Sequence, residues 1–290
     1  MHALVESPDL EKQRAAQENF GSILSKNREI SYRDFQVEHI PAQWSYRDKE
    51  PMKGKVILYC HGGGYTSGSF RYARSITNKL VKTTGMDVVS FDYRLAPEHP
   101  YPAALEDAEM MWEHLTNHGY APKDVILAGD SAGGNLALVL TLHLRKQKKS
   151  LPSGLILFSP WTDLTLSGSS MEEKEATDPI LTMEYLERCI EAYVPDKDRK
   201  EPCISPVFAD FHDFPPVCIQ VGSNEILYSD SVRLAKELEK SGIFVEFEEF
   251  SGMWHVFQMS PLKTAREAIK QAAAFMSENC GSIPKTGEIT

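Results

Sequence analysis

The amino-acid sequence predicts an α/β protein with a mainly parallel sheet of about eight strands, flanked by helices. From residue 55 onward, six short runs rich in β-branched and aromatic residues alternate with longer stretches of helical spacing, as βαβ units do. Two earlier runs alternate apolar and polar residues. The length suits one such domain, and we expect residues 1–290 to form a single unit. The six runs are KVILYC, DVVSFDY, DVILAG, GLILFSP, PVCIQVG and VEFEEF.

The two earlier runs are FQVEHI and QWSYR. Their alternation predicts an antiparallel pair at the edge of the sheet, with one face toward water. Helices are predicted over four of the stretches between the later runs, namely residues 71–84, 103–118, 135–146 and 229–241.

Two segments interrupt the alternation and predict a helical cap, residues 1–34 and residues 161–214. The first has helical spacing without a strand partner, and the second separates two strands by far more than an ordinary crossover. Insertions after the carboxyl ends of strands usually cover a site, although plain surface helices would show the same spacing. In the second segment the residues of one apolar face are Ile180, Tyr185, Leu186, Cys189, Ile190 and Tyr193.

Net charge and cysteine usage limit the kinds of partner. The 31 Lys and Arg residues against 41 Asp and Glu residues give a net charge of −10, which disfavours nucleic acid and anionic lipid. The five cysteines lack CxxC spacing, so we expect reduced thiols and a cytoplasmic protein. The first 20 residues lack the apolar stretch of a signal peptide, and no run is long enough for a membrane span. The oligomeric state is left open, with a homodimer as one option.

The stretch GDSAGGN, residues 129–135, places one serine between a strand-like run and a helix-like run. A strand, a sharp turn and a helix in this order form a nucleophile elbow, in which the helix N-terminus faces an exposed serine hydroxyl. Ser131 is therefore the candidate nucleophile. The alternative is an N-cap serine in a tight strand-to-helix turn.

His61 and three glycines follow the run KVILYC directly. Acyl transfer builds negative charge on a carbonyl oxygen, which backbone N–H groups of a glycine-rich loop can stabilise. We expect Gly63 and Gly64 to supply two such donors, and Ala132 to supply a third. A phosphate-binding loop is the alternative, but neither GxGxxG nor the P-loop pattern is present. We expect His61 to hold the loop by hydrogen bonding.

A serine nucleophile needs a general base, and His255 is the candidate. It follows VEFEEF in the loop SGMWH, at the carboxyl edge of the predicted sheet and late in the chain. His143 is excluded because the intervening helix would place it about 18 Å from Ser131. A solvated surface histidine is the alternative reading of His255.

Two carboxylates compete to orient His255. Glu225 lies just past the end of PVCIQVG, where a side chain still points over the sheet edge. Asp230 lies where the next helix should begin, a position at which the helix dipole favours a carboxylate. The residues favour Glu225 and leave Asp230 as the alternative.

Four stretches, HGGGY, DYRLAPEHPYPAALED, GDSAGGNLAL and GMWHVF, together resemble the hormone-sensitive-lipase-like family of carboxylesterases within the α/β-hydrolase fold. The resemblance runs from about residue 55 to the C-terminus. It implies Ser131 as nucleophile, His255 as base, and Gly63, Gly64 and Ala132 as the oxyanion hole. It also implies a helical cap built from the two interrupting segments.

In one respect the chain departs from the resembled family. Members commonly carry aspartate where this chain has Asn224, which is followed by Glu225. The separation of 30 positions from Glu225 to His255 matches the family better than the separation of 25 positions from Asp230 to His255.

These residues predict a serine carboxylesterase that needs no cofactor or metal and attacks short-chain, acetyl-type esters of small molecules. Ser131 would form an acyl-enzyme, His255 would take and return the proton, and Glu225 would orient the imidazolium. HExxH and clustered His and Asp ligands are absent from the sequence. The same residues suit a lactonase, an amidase or a deacetylase, and the alternative outside enzymes is a non-catalytic ligand-binding receptor. The presence of His255 argues against the receptor.

Overall fold

The computed structural model of the chain describes residues 9–24, 29–47 and 54–280. Its strands are β1 (Ser31–Val37), β2 (Ile40–Tyr46), β3 (Val56–Cys60), β4 (Asp87–Phe91), β5 (Val125–Asp130), β6 (Gly154–Phe158), β7 (Val217–Gly222) and β8 (Val245–Phe250). They form an eight-stranded sheet in the order β1-β2-β4-β3-β5-β6-β7-β8. β2 is antiparallel to β1 and β4, and the other neighbouring pairs of this sheet are parallel. The predicted α/β class with a mainly parallel sheet is confirmed.

The inner strands β3 to β7 are buried along their whole length. Strands covered by helices on both faces need continuous apolar runs rather than alternation, which is why these five runs stand out in the sequence. β8, at one edge of the sheet, is only half-buried and mixes glutamate with aromatic residues.

The helices are α1 (Leu10–Leu24), α2 (Phe70–Thr84), α3 (Ala103–Asn117), α4 (Ala132–Lys146), α5 (Ser170–Glu173), α6 (Met183–Tyr193), α7 (Tyr228–Lys240) and α8 (Lys263–Asn279). The four helices predicted from spacing correspond to α2, α3, α4 and α7, with bounds that differ by at most three residues. Short 3-10 turns occupy Pro122–Asp124, Pro206–Phe208 and Phe257–Met259. In the described ranges, every helix is too short or too polar to cross a bilayer.

Each face of the sheet has its own apolar layer, because neighbouring residues of a strand point to opposite faces. On β5, Leu127 packs in a layer with residues of α3, α4 and α7. Its neighbour Ile126 packs on the other face with residues of α2 and α8. The helices are thereby fixed to one sheet, whose parallel strands end along a common edge.

The edge hairpin differs from the prediction in where it turns. The run FQVEHI is not one strand, because Glu38 and His39 form the turn and Ile40 already belongs to β2. Glu38 has a φ of 50°, the left-handed backbone that a two-residue hairpin turn requires. β1 also begins at Ser31, where pairing with β2 starts, so residues 31–34 lie in the sheet and not in the predicted cap.

The first predicted cap segment is described in part, since residues 1–8 and 25–28 lie outside the described residues. Its described helix, α1, packs against α2. Arg14 anchors α1 to the main body of the molecule. Its Nε donates to the carbonyl of Thr66 at 2.8 Å, and its two terminal nitrogens each donate to Glu98 at 2.8 Å. A bidentate pair of this kind fixes the orientation of the guanidinium as well as its position.

The second predicted cap segment, between β6 and β7, contains α5 and α6. Ile180, in the loop before α6, is half-buried. The ring of Tyr193 stacks on Tyr65 with centroids 3.8 Å apart, so α6 packs over the loop that follows β3. The residues that α6 buries are Tyr185, Leu186, Cys189, Ile190 and Tyr193.

Candidate active site

Ser131 lies in the turn between β5 and α4, at the carboxyl edge of the sheet. Its φ of 54° and ψ of −121° form a backbone conformation that a residue other than glycine keeps only when its surroundings impose it. The neighbouring strand does so, because the N–H of Ser131 donates to the carbonyl of Phe158 at 2.9 Å. The sharp turn expected from GDSAGGN is present.

The glycines of this motif allow α4 to pack close to β3. A Cβ on Gly133 would lie 2.1 Å from the carbonyl oxygen of Cys60, so no larger residue fits there. The approach places the N-terminus of α4, with the amide of Ala132 at its first position, beside the loop that follows β3. The first amides of a helix have no acceptor within the helix, which leaves them available to a ligand.

The loop after β3 fixes the peptide group between Gly63 and Gly64. The carbonyl of Gly63 accepts the N–H groups of Thr66 and Ser67 at 3.1 and 3.0 Å, and the hydroxyl of Ser67 at 2.9 Å. Because the C=O and N–H of a trans peptide point in opposite directions, the N–H of Gly64 points away from this turn. The hydrogen bonds to the Gly63 carbonyl therefore fix the orientation of the Gly64 N–H, which makes it a preorganised donor.

Helix α6 packs directly on this glycine loop. A Cβ on Gly64 would lie 2.5 Å from Sγ of Cys189 and 2.9 Å from the hydroxyl of Tyr185. Burial raises the pKa of the Cys189 thiol to about 11, so Cys189 is a neutral packing residue. Glycine at position 64 is therefore required by the contact with α6 as well as by its φ of 62°.

His61 holds the glycine loop, as the sequence suggested. Its Nδ1 donates to the carbonyl of Gly62 at 2.8 Å, and its ring stacks on Tyr93 with centroids 4.1 Å apart. Burial lowers the pKa of His61 to about 4, so the ring is neutral near pH 7.

Asp130, directly before Ser131, supports the same loop. Its Oδ1 accepts the N–H of Gly62 at 3.0 Å and the hydroxyl of Tyr59 at 2.7 Å. Burial raises the pKa of Asp130 to about 6, against which these hydrogen bonds act. Asp130 was not among the predicted site residues, although its place before the serine in GDSAGG is a signal in the sequence.

Glu225 and His255 form a buried pair on adjacent loops. Nδ1 of His255 lies 2.8 Å from Oε2 of Glu225. A carboxylate only accepts, so Nδ1 carries the proton and Nε2 of the neutral ring is left free to act as a base. Burial by itself lowers the pKa of His255, but the hydrogen bond and the charge of Glu225 outweigh it and raise that pKa above its ordinary value of 6.5.

The other oxygen of Glu225 is held equally firmly. Oε1 accepts the N–H of Gly222 at 2.6 Å and the hydroxyl of Ser159 at 2.8 Å. The carboxylate is fully buried, so these donors replace the water it would otherwise bind.

Asp230, the alternative acid, contacts residues other than His255. It is in the first turn of α7, but fully buried, and its Oδ2 accepts the N–H groups of Thr162 and Asp163, each at 2.8 Å. Burial raises the pKa of Asp230 to about 8. Its contacts tie α7 to the chain after β6, whereas the contact with His255 belongs to Glu225.

The excluded histidine, His143, lies toward the far end of α4, where Nε2 contacts Glu109 at 3.0 Å. Among the described residues, Cys218, Glu246 and Glu248 have ligand atoms within 4.8 Å of one another, close enough to share a metal ion. These three lie on β7 and β8 and do not line the cavity described next.

Ser131, His255, Gly63 and Gly64 line one cavity of about 310 Å³. Glu225 contacts the His255 ring at Nδ1. The structure therefore brings a hydroxyl, an oriented imidazole and a glycine loop to one mainly apolar space, an arrangement suited to acyl transfer. Both predicted cap segments contribute to its wall, which includes Gln17, Tyr72, Ile180, Leu181, Tyr185 and Trp254.

Known proteins similar to this chain include α/β-hydrolase-fold proteins and esterases. A family model described as alpha/beta hydrolase fold matches residues 57–259. The chain is 40% identical over 224 residues to an esterase of Acinetobacter venetianus, an alignment that covers 76% of this chain and 74% of that protein. It is 36% identical over 268 residues to an acetyl-hydrolase of Streptomyces hygroscopicus, covering 92% of this chain and 88% of that protein.

Solved crystal structures of esterases are also similar to this chain. The crystal structure of an esterase from the bacterial hormone-sensitive lipase family is similar with a TM-score of 0.92 and 31% identity, over 97% of this chain and 95% of that one. The crystal structure of EstE5 soaked with p-nitrophenyl butyrate is similar with a TM-score of 0.89 and 32% identity, over 94% of this chain and 92% of that one. The chain therefore belongs to the α/β-hydrolase family, among its hormone-sensitive-lipase-like carboxylesterases, and is a carboxylic ester hydrolase.

Proposed function

We propose that this protein hydrolyses short-chain esters of small molecules through Ser131, His255 and Glu225. The observation that carries the proposal is the buried 2.8 Å contact between His255 and Glu225, with His255 lining the same cavity as Ser131. A hydroxyl is a weak nucleophile until a base removes its proton, and a base of this kind needs an orienting acid.

In acylation, Oγ of Ser131 attacks the ester carbonyl carbon while its proton passes to Nε2 of His255. The carbonyl oxygen becomes an oxyanion, which the N–H groups of Gly63, Gly64 and Ala132 stabilise. The bond to the leaving oxygen then breaks, and the imidazolium gives its proton to that oxygen. Alcohol departs, and an acyl group remains on Ser131.

In deacylation, His255 removes a proton from water, and the resulting hydroxide adds to the acyl carbonyl. The bond to Oγ of Ser131 breaks, Oγ regains the proton from the imidazolium, and the carboxylic acid departs. Glu225 accepts the Nδ1–H in every step and stabilises the imidazolium whenever it forms. This sequence of steps requires neither a cofactor nor a metal ion.

The cavity supports small, uncharged acyl groups. Its volume of about 310 Å³ is at the lower end of the range of roughly 300–1,000 Å³ for small-molecule sites. None of its described wall residues is a lysine or arginine, so a carboxylate on the substrate would find no cationic partner in them. The acetyl-hydrolase relative and the p-nitrophenyl butyrate soak of EstE5 support the same size class.

A panel of p-nitrophenyl esters tests the proposal. We expect acetate, butyrate and hexanoate to be cleaved faster than palmitate under matched soluble conditions. Ser131→Ala should retain at most the acceleration of about 10³ to 10⁴ over water that binding and an oxyanion hole give. Wild-type turnover by this variant would refute the site, and faster cleavage of palmitate than of butyrate would refute the size class. A lactone and an anilide in the panel separate lactonase and amidase activity from esterase activity.

A further inference from the structure

Asp178 is a buried carboxylate in the predicted cap segment between α5 and α6, and it is 1% exposed. Its Oδ1 accepts the N–H groups of Ile180 and Leu181 at 2.8 and 3.0 Å. Its Oδ2 accepts the N–H of Ile226 at 2.9 Å. One side chain thus connects the segment before α6 to the loop after β7.

Both ends of this connection belong to the candidate active site. Ile180 and Leu181 line the cavity. Ile226 follows Glu225, so its N–H lies in the same peptide plane as the Glu225 carbonyl. The bond from Asp178 therefore restrains the backbone from which Glu225 reaches His255.

Asp178 also acts on His255 through its charge. Burial lowers the pKa of His255, while Glu225, Asp178 and Asp130 raise it, and the net shift is upward. The three carboxylates approach from three elements, which are the loop after β7, the predicted cap and the end of β5. Glu225 contacts the ring, and the charges of the other two add to its effect.

Two lysines lie on elements around the site, Lys174 directly after α5 and Lys79 on α2. Lys174 donates to the carbonyl of Ser223 at 2.7 Å, and Lys79 donates to the carbonyl of Ser260 at 2.6 Å. Both lysines are present in every variant below, so they do not contribute to the differences between variants.

We propose that Asp178 is a positioning residue that ties the cap to the backbone beside Glu225 and adds negative charge where the imidazolium of His255 forms. The inference rests on the proposed function. Because the imidazolium forms only during proton transfer, Asp178 contributes to kcat more than to substrate binding. The position of the cap and the strength of the base are then coupled through one carboxylate.

Asp178→Asn tests both parts. Asparagine has the same size as aspartate but carries no charge. Its NH₂ group replaces one of the two acceptor oxygens of Asp178, so it faces a backbone N–H donor and cannot accept from it. We expect kcat to fall about 10- to 100-fold with little change in KM. The acid limb of kcat/KM should move to lower pH by about 0.5 to 1 unit, because the pKa of His255 falls when a nearby negative charge is removed. The pKa of His255, measured by NMR titration of the ring, should also be lower in this variant than in the wild type.

Asp163→Asn is the matched control. Asp163 is also buried after β6, but its bonds go to Thr165, Ser167 and Arg233, and it is not among the groups that shift His255. We expect a lower melting temperature and an unchanged acid limb. Should Asp178→Asn behave in the same way as this control, its role is structural only and the proposal is wrong.

Asp178→Glu separates charge from geometry. It retains the charge, so the acid limb should stay near that of the wild type, while its longer arm displaces Ile226 and lowers kcat. If Asp178→Asn does not fold, wild-type kcat in Asp178→Glu still overturns the proposal. A wild-type enzyme without ester hydrolysis would instead refute the proposed function, and the NMR titration would remain a test of Asp178.

Discussion

The hydroxyl of Ser159 donates to Oε1 of Glu225 at 2.8 Å, and Oγ of Ser159 in turn accepts the N–H of Val256 at 3.2 Å. Val256 follows His255, so one buried hydroxyl joins the two loops that carry the candidate acid and the candidate base. Ser159 itself follows the last residue of β6, the strand whose carbonyl holds the backbone of Ser131. The end of β6 therefore aligns all three members of the candidate triad.

Replacing Ser159 with alanine should lower kcat by about tenfold, since Glu225 loses one donor but keeps Gly222 and His255. Steady-state kinetics on a butyryl ester measure the effect. Ser153→Ala serves as the control, because its hydroxyl bonds the carbonyl of Val125 at the other end of the strands. Wild-type kcat in Ser159→Ala would mean that the remaining contacts alone orient the carboxylate.

Glu225→Gln and Asp230→Asn should differ sharply. Glu225→Gln keeps the shape but favours the wrong tautomer of His255, which costs on the order of 10⁴ in kcat when the triad comparison holds fully. Asp230→Asn should leave kcat nearly unchanged, because the pKa of about 8 makes Asp230 largely neutral in the folded protein, like the amide. Comparing kcat of both variants at saturating ester decides between the two carboxylates. The reverse pattern would make Asp230 the triad acid.

The activity should fall on the acid side with a midpoint above pH 6.5, the ordinary value for histidine. In the proposed mechanism His255 must be neutral to accept the proton of Ser131, and its raised pKa means that it becomes protonated at a higher pH than a solvated histidine does. A profile of kcat/KM against pH reports this ionisation in the free enzyme. A midpoint below 6.5 would contradict the effect assigned to the surrounding carboxylates.

Gly64→Ala should strongly reduce activity, since its Cβ would lie 2.5 Å from Sγ of Cys189 and its φ of 62° disfavours alanine. Adding Cys189→Ala should restore part of the loss by removing the sulfur. The two positions should therefore show a coupling of about 0.5–3 kcal/mol in a double-mutant cycle on kcat/KM. Additive effects would indicate that α6 does not hold the glycine loop in place.

The inner strands and the helices that cross between them could be predicted because their signals are local. A continuous apolar run or a helical spacing is contained within one segment, and the GDSAGG and HGGG turns follow such runs directly. The hairpin turn at Glu38 was missed because a glutamate with positive φ carries no residue signal of the kind that glycine gives.

The supporting residues of the site could not be predicted because their contacts join distant parts of the chain. Asp178 is hydrogen-bonded to Ile226 at a sequence separation of 48 positions, and Ser159 is hydrogen-bonded to Glu225 at a separation of 66. Neither Asp178 nor Ser159 lies in a sequence motif that indicates its hydrogen-bond partner. Choosing between Glu225 and Asp230 also depended on side-chain placement, since both follow β7 and only the fold determines which one reaches His255.

Helix α1 walls part of the cavity through Gln17 and is held by the contacts of Arg14 with Thr66 and Glu98. In the proposed mechanism, water and an added alcohol compete for the acyl group on Ser131, and we expect this wall to affect which of them reaches it. Loosening the Arg14 anchor would admit more bulk solvent and shift the products from new ester toward free acid. We therefore expect the ion pair between Arg14 and Glu98 to influence the ratio of ester synthesis to ester hydrolysis.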